Sequence, residues 1–290
     1  MFKTLNAPAI GIKDKPLAEV VALAKATGYI GIDYNIREAA ALAKATSPAA
    51  LKAIFDGAGV KAATFGLPVE GAQSDWNIDL AALNDMAALA ARLGTTRCAT
   101  WVPSWNDSRD LAENRAYHIT QLRPAAAFLA RHGISLGLEF LGPKTLRDGH
   151  TFGFISTMGA MLDMAAEIGP NVGLLLDAWH LHTSGGTLAD LAPLTPSQIV
   201  VVHINDAPKG AAVDTLMDNA RHLPLAGGGI DLEGFMRALA RIGYDGPVVT
   251  EPFNAPLNAL AATDPKAAAA QVSEAMSRLW AISDMAQKGA

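Results

Sequence analysis

The chain has 290 residues, half of them hydrophobic, and its 23 basic and 28 acidic side chains give a formal net charge of -5. This size suits one barrel-sized domain with a large core, and the acidic balance excludes the basic surface that a nucleic-acid partner requires. With one cysteine (Cys98), no signal-peptide pattern and no apolar run of the ~20 residues that cross a bilayer, we expect a single-domain (1–290), cytoplasmic protein without a membrane partner.

Short apolar or β-branched runs alternate with longer Ala- and Leu-rich stretches of helical period along the chain. That alternation is typical of βα units on a parallel sheet. The candidate strands lie at residues 2–10, 29–34, 60–66, 96–102, 134–141, 172–178, 199–205 and 247–253. Eight such units predict a closed (β/α)8 barrel, the TIM barrel fold.

Glycines mark the joins between predicted helices and strands. Four helical stretches run into glycines, at Gly28, Gly94, Gly169 and Gly243. Glycine tolerates the left-handed conformation that ends many helices, so these positions are predicted helix ends. We expect the long segment 208–229 to form a loop over a site, and the Ala-rich tail 258–290 to supply the helix that closes the barrel.

Four consecutive predicted strands carry an ionisable residue toward the carboxyl end: Glu139 in LGLEFLG, Asp177 in VGLLLDAWH, His203 in VVVHIND and Glu251 in VVTEPF. Barrels place their sites at this end. Any one of these residues alone is equally well explained by a buried ion pair. Together, three converging carboxylates repel one another unless a cation neutralises them, which predicts one divalent metal ion. The donor set favours manganese, and cobalt, magnesium or zinc would also be accepted.

Further candidates for substrate binding lie beside these strand ends. Trp179 and His180 follow the aspartate of DAWH, Asp206 follows the histidine of HIND, and Arg221 precedes a run of three glycines. Each has a structural alternative, namely core packing for Trp179, a hydrogen-bonded core histidine for His180, a helix cap for Asp206 and an exposed loop cation for Arg221. The glycine run is too short, and lacks the strand context, for a nucleotide-binding fingerprint.

The segments around these residues resemble those of the xylose-isomerase-like TIM barrels. The resemblance is carried by LEFLG, NVGLLLDAWHLH, VVHINDAP, RHLPLAGGGIDLEGFMRALARIGYDG and VVTEPF, within about residues 134–255. It is strongest to inosose isomerase, and the family also includes the D-tagatose and D-psicose 3-epimerases, hydroxypyruvate isomerase and, more distantly, endonuclease IV. The resemblance implies metal ligands at Glu139, Asp177, His203 and Glu251, acid-base roles for both glutamates, and contacts to substrate oxygens from His180 and Arg221.

These features predict a metal-dependent isomerase or epimerase of a small polyhydroxy ketone, either a keto-inositol or a ketose. The metal would stabilise an enediolate formed when Glu139 or Glu251 removes the proton beside the carbonyl. Proton return to the adjacent carbon isomerises the substrate, and return from the opposite face epimerises it. The alternatives are a lyase or hydrolase acting on a 3-keto-glycoside and a sugar-binding barrel without turnover. Phosphodiester cleavage would need further metal ligands and a basic face, and neither is evident. A homo-oligomer is compatible with the composition.

Overall fold

The computed structural model describes residues 1–70 and 75–283. Its strands in this range are β1 (Phe2–Asn6), β2 (Gly31–Asp33), β3 (Lys61–Gly66), β4 (Arg97–Val102), β5 (Trp105–Asn106), β6 (Ser135–Phe140), β7 (Phe152–Gly153), β8 (Val172–Asp177), β9 (Ile199–His203) and β10 (Pro247–Val249). Eight of them close into a barrel in the order β1-β10-β9-β8-β6-β4-β3-β2. All neighbouring pairs in this barrel are parallel. The predicted TIM barrel is confirmed.

Helices connect the strands and cover the barrel. They are α1 (Leu17–Ala26), α2 (Ile36–Ala45), α3 (Pro48–Ala58), α4 (Leu80–Arg92), α5 (Leu111–Arg131), α6 (Met158–Ile168), α7 (Ala178–Thr183), α8 (Leu232–Ile242), α9 (Ala255–Thr263) and α10 (Pro265–Ile282). Most begin at a Ser, Asn or Asp whose side chain accepts a hydrogen bond from a backbone amide of the first turn, as at Asn35 and Asp110. No helix in residues 1–70 and 75–283 is both long enough and apolar enough to cross a membrane.

Helices end at or next to all four predicted glycines, and three of the four are left-handed. Gly28, Gly94 and Gly243 have φ angles of 78°, 83° and 86°, in the left-handed region. Gly169 caps the end of α6, but its φ of 175° is extended rather than left-handed. Its amide still donates to Ala165 O, so α6 ends there without a left-handed residue.

Several strands are shorter than their apolar runs. The first strand was predicted to reach residue 10 but ends at Asn6, because a 3-10 turn begins at Pro8. The last was predicted to reach residue 253 but ends at Val249. Where the residues after a strand are also buried, the apolar run extends beyond the last residue that pairs with a neighbouring strand. The length of the apolar run then overestimates the length of the strand. The two-residue antiparallel pair of β5 and β7 lies outside the barrel and was not predicted.

The C-terminal helix closes the structure against the first strand, as predicted for the tail. Lys3 of β1 is buried, and its ammonium donates to Ser273 Oγ at 3.0 Å and to Ser277 Oγ at 2.7 Å in α10. These bonds offset part of the cost of burying the charge. The last residues of the predicted tail, 284–290, lie outside the described range.

Candidate active site

Four strands bring the predicted metal ligands to one end of the barrel. Glu139 is the penultimate residue of β6, and Asp177 and His203 are the last residues of β8 and β9, where they are register partners. Glu251 was predicted within the last strand but follows β10 by two residues. Its position is held instead by its backbone amide, which donates to Asn205 Oδ1 at 3.0 Å.

The centre of this cluster contains two buried polar atoms that need a partner. His203 Nδ1 lies 3.6 Å from Glu139 Oε1 and 3.2 Å from Glu251 Oε2. Neither His203 Nδ1 nor Glu139 Oε1 makes a hydrogen bond of acceptable geometry. Buried polar atoms are rarely left unpaired, and a carboxylate oxygen and an imidazole nitrogen are both ligands for divalent metals. These residues therefore fit a metal ion.

Asp177 is shared between the cluster and its own helix. Its Oδ1 accepts from the amide of Trp179 at 2.8 Å and so caps α7, while its Oδ2 accepts from Arg221 Nη1 at 2.8 Å. Arg221 is itself buried, and its Nη2 also donates to Asp218 Oδ1 at 2.8 Å. Arg221 is therefore not the exposed loop cation that the sequence also allowed, because its guanidinium lies beside the cluster.

A second set of possible ligands includes His180 in place of His203. Ligand atoms of Glu139, Asp177 and His180 lie within 4.8 Å of one another. However, both ring nitrogens of His180 already have hydrogen-bond partners, because Nδ1 accepts from the amide of Gly142 at 3.2 Å and Nε2 lies 3.2 Å from Arg221 Nη2. Nε2 also lies 3.7 Å from Glu139 Oε1, which is beyond hydrogen-bond distance. The geometry favours His203 as the imidazole ligand, because its Nδ1 has no hydrogen-bond partner whereas both nitrogens of His180 do.

The surroundings push the pKa values of the two glutamates apart. Burial raises the pKa of Glu139 well above its ordinary value, and Asp177 and Glu251 add to this effect. Burial acts in the same direction on Glu251, but attraction by His203 and Arg221 outweighs it and lowers the pKa of that carboxyl. Two carboxyl groups with opposite shifts suit one proton acceptor and one proton donor.

Residues from the first half of the barrel also reach the cluster, and the sequence did not identify them. Asn6, the last residue of β1, donates from Nδ2 to Glu251 Oε1 at 2.7 Å and to Asp33 Oδ2 at 3.2 Å. Burial and the charge of Glu251 raise the pKa of Asp33, the last residue of β2, to about 7. Asp33 lies near the end of the predicted strand 29–34, and that position was the available signal, whereas Asn6 falls inside the predicted strand 2–10 and gave none.

Asp206, which the sequence offered as a substrate contact, is hydrogen-bonded to backbone amides in the structure. Its Oδ1 accepts from the amides of Ala207 at 2.8 Å and of Gly229 and Ile230 at 3.1 Å each. Its Oδ2 accepts from the amides of Gly227 at 2.9 Å and Gly228 at 2.7 Å. With five backbone donors, this carboxylate fastens the glycine run to the end of β9. A Cβ on Gly227 would lie 2.1 Å from Ala207 O, which explains the glycine there.

Trp179 lies behind Arg221. Its fully buried ring packs with Ala207 and Leu216, and the Arg221 guanidinium carbon is 5.6 Å from the ring centroid. Phe253 covers the same guanidinium at 5.1 Å. Trp179 therefore supports Arg221, and direct contact of Trp179 with a substrate stays a prediction.

Together, the closed barrel and the cluster at its carboxyl-terminal face define a TIM barrel with a candidate metal centre. The chain belongs to the xylose isomerase-like TIM barrel family, which matches residues 21–279. The solved structure of a xylose isomerase domain protein from Alicyclobacillus acidocaldarius subsp. acidocaldarius is 30% identical. The match covers 98% of this chain and 99% of that one, with a TM-score of 0.83.

Curated relatives match over shorter stretches. Inosose isomerase from Halalkalibacterium halodurans is 31% identical over 123 residues, which are 42% of this chain and 40% of the relative. Ketose 3-epimerase from Arthrobacter globiformis is 33% identical over 85 residues, which are 29% of this chain and 25% of the relative. The chain thus aligns with less than half the length of these relatives. The predicted family, with its resemblance to inosose isomerase and the ketose epimerases, is confirmed.

Proposed function

We propose that the protein is a divalent-metal-dependent isomerase or epimerase of a polyhydroxy ketone. The observation that carries this proposal is the pair of carboxylates around His203 Nδ1, with Glu139 Oε1 at 3.6 Å and Glu251 Oε2 at 3.2 Å. In the barrel order, β6 and β10 flank β8 and β9, so the two glutamates approach from opposite sides. The local likeness to inosose isomerase and ketose 3-epimerase supports the substrate class.

The proposed metal ligands are Glu139, Asp177, His203 and Glu251. A divalent cation held there, with manganese as the favoured ion, would act as a Lewis acid and stabilise negative charge on the ketone oxygen. His180 and Arg221 would contact substrate oxygens, and the Arg221 guanidinium would supply positive charge there. Both side chains are buried, which strengthens these interactions by excluding water.

The two glutamates would move the proton. One carboxylate removes the C–H proton between the carbonyl and the neighbouring hydroxyl and leaves an enediolate. If the same group returns the proton to the former carbonyl carbon, and the hydroxyl proton passes to the former carbonyl oxygen, the ketone is isomerised. If the other glutamate delivers it to the opposite face of the original carbon, the product is the epimer.

The test is solvent deuterium incorporation into fructose and a keto-inositol, followed by NMR after chelation and re-addition of Mn, Co, Mg or Zn singly. We expect metal-dependent exchange that falls at least 100-fold in Glu251→Gln and is unchanged in the exposed control Glu274→Gln. No exchange with any ion, in a protein that still binds the metal, would contradict an isomerase or epimerase. Loss of a substituent from a 3-keto-glycoside under the same conditions would instead establish a lyase.

A further inference from the structure

A cavity opens beside the candidate metal centre at the ends of the first three barrel strands. Its volume is about 760 Å³. Its lining includes the last residues of β1, β2 and β3, which are Asn6, Asp33 and Gly66, and parts of the segments that follow them. The cavity is therefore on the same face of the barrel as Glu139 and Glu251.

Asn6 forms the wall between this cavity and the metal centre. Its Nδ2 donates to both Glu251 Oε1 and Asp33 Oδ2, and its Oδ1 accepts from the amide of Ala9 at 3.2 Å. The Ala9 bond fixes the orientation of the amide, so the NH2 group must face the two carboxylates. A molecule that reaches Glu251 from the β1 side passes Asn6 and Asp33 first.

The charges around the cavity balance. Three cations and three carboxylates line it, at Lys13, Lys15, Arg37, Asp14, Asp33 and Glu38. Two of the cations also have acidic partners, because Lys15 pairs with Glu19 at 3.3 Å and Arg37 pairs with Glu70. A balanced wall gives no net attraction for an anion, which favours a neutral ligand over a phosphorylated one.

The remaining lining suits a hydroxylated ring. Asp33 accepts from Asn6 through Oδ2 only, so its second oxygen is available to a hydroxyl donor. Ile12, Leu17 and Val69 add apolar surface that can pack on the C–H faces of a sugar. Ligand pockets of roughly 300–1,000 Å³ hold drug-sized molecules, so this cavity has room for a ring beyond the group at the metal centre.

We propose that the cavity is a second sugar-binding subsite, which takes the neutral glycosyl substituent of a ketone whose carbonyl end lies between Glu139 and Glu251. The physiological substrate is then a two-ring keto-sugar rather than a free ketose or inosose. This inference rests on the proposed function and narrows its substrate class.

Gly66 offers a way to fill the cavity without disturbing the cluster. A Cβ added at Gly66 has no heavy atom within 4 Å, and the residue is exposed at the cavity wall. Gly159 on α6 is also exposed and free of neighbours within 4 Å, but it lies away from the cavity and provides a matched control. Lys13→Trp, at another exposed position of the lining, is a second blocking variant should Gly66→Trp fold poorly.

The experiment measures metal-dependent deuterium exchange into fructose and into three glucosyl-fructoses linked through O3, O4 and O6. We expect kcat/KM for at least one disaccharide to exceed that for fructose tenfold or more. Gly66→Trp should lower the disaccharide value at least tenfold and leave the fructose value within twofold, whereas Gly159→Trp should change neither.

Two failures are distinguishable. If fructose exchanges but all three disaccharides are poorer substrates, or if Gly66→Trp and Lys13→Trp affect fructose and disaccharide equally, the subsite is overturned and the isomerase proposal stands. If no ketone exchanges with any metal, the proposed function itself fails.

Discussion

At the residue scale, the buried histidines show how the neighbours of one side chain decide its chemistry. His203 faces two glutamates, whose charges outweigh burial and raise its pKa to about 9. Burial and Arg221 push the pKa of His180 well below its ordinary value. Burial likewise lowers the pKa of His118, to about 3. The carboxylates that attract a proton to His203 would also attract the proposed cation, which would take the place of that proton, whereas His180 and His118 are held neutral.

The surroundings of His118 predict how the stability of the folded chain depends on pH. The Trp76 indole donates to its Nδ1, and its ring stacks on Phe154, so the folded chain keeps it neutral. Its folded pKa of about 3 lies below the unfolded value of 6.5. Its contribution to stability is complete above pH 6.5 and is lost as pH falls toward 3. Between pH 8 and pH 5 the loss from this residue should be about 2 kcal/mol.

Urea denaturation at the two pH values checks this. In His118→Gln, the fall in unfolding free energy from pH 8 to pH 5 should be smaller by that amount, because glutamine does not take up a proton. The control His132→Gln, at the end of α5, should retain the full fall. Equal falls in the parent chain and in His118→Gln would refute the assignment.

At the scale of elements, hydrogen bonds hold the segment that follows β9, which includes the predicted loop 208–229, in a fixed position. Asp206 binds the amides of the glycine run, and an antiparallel bridge joins it to His222. A second bridge joins Pro208 to Gly228. Further along, Thr145 Oγ1 donates to Leu216 O at 2.9 Å, which ties the segment after β6 to the same structure. The expected loop over the site is present, and its two ends are held together.

Substituting Asp206 should therefore destabilise the whole loop. Asp206→Asn replaces one acceptor oxygen by an NH2 group that faces backbone donors, so we expect the free energy of unfolding to fall by about 3 kcal/mol. The matched control, Asp214→Asn, changes an exposed carboxylate in the same loop and should have little effect. Urea titration at pH 7 measures both, and equal stability of the two variants would argue against the fastening role.

The sequence predicted the architecture and the second-half cluster because both leave a local trace. Charged residues near the ends of buried apolar runs identified Glu139, Asp177 and His203 directly. Asn6 left no such trace, because its importance depends on a partner 245 positions away that only barrel closure brings into contact. The role of Asp206 was also missed, since five amides spaced along a loop give no pattern of period or hydrophobicity.

At the scale of the whole molecule, the proposed metal joins strands from half of the barrel wall. Ligands from β6, β8, β9 and the end of β10 would be linked through one ion, in addition to the hydrogen bonds between neighbouring strands. A ligand that binds only the folded state stabilises it by about 2.7 kcal/mol at 100 times its Kd. For a chain of this size, that corresponds to a rise in Tm of about 5 °C.

This stabilisation distinguishes the two candidate imidazole ligands. After chelation, adding Mn²⁺ should raise the Tm of the parent chain, as measured by calorimetry. His203→Gln should lose most of that rise, whereas His180→Gln should keep it, because His180 Nδ1 already accepts from Gly142 and its Nε2 lies 3.2 Å from Arg221 Nη2. The reverse pattern would make His180 the ligand and exclude the assignment given to His203.

The hydrogen bonds of Asp206 also affect which changes in sequence this barrel can accept during evolution. Pro208 is paired with Gly228 and Asp218 is bonded to Arg221, so the nine residues between Pro208 and Asp218 form a loop with fixed ends. Lengthening such a loop costs little free energy, since closure entropy grows only slowly with length. Insertions could therefore accumulate there, reshaping the rim of the site while Arg221 and the barrel strands keep their places.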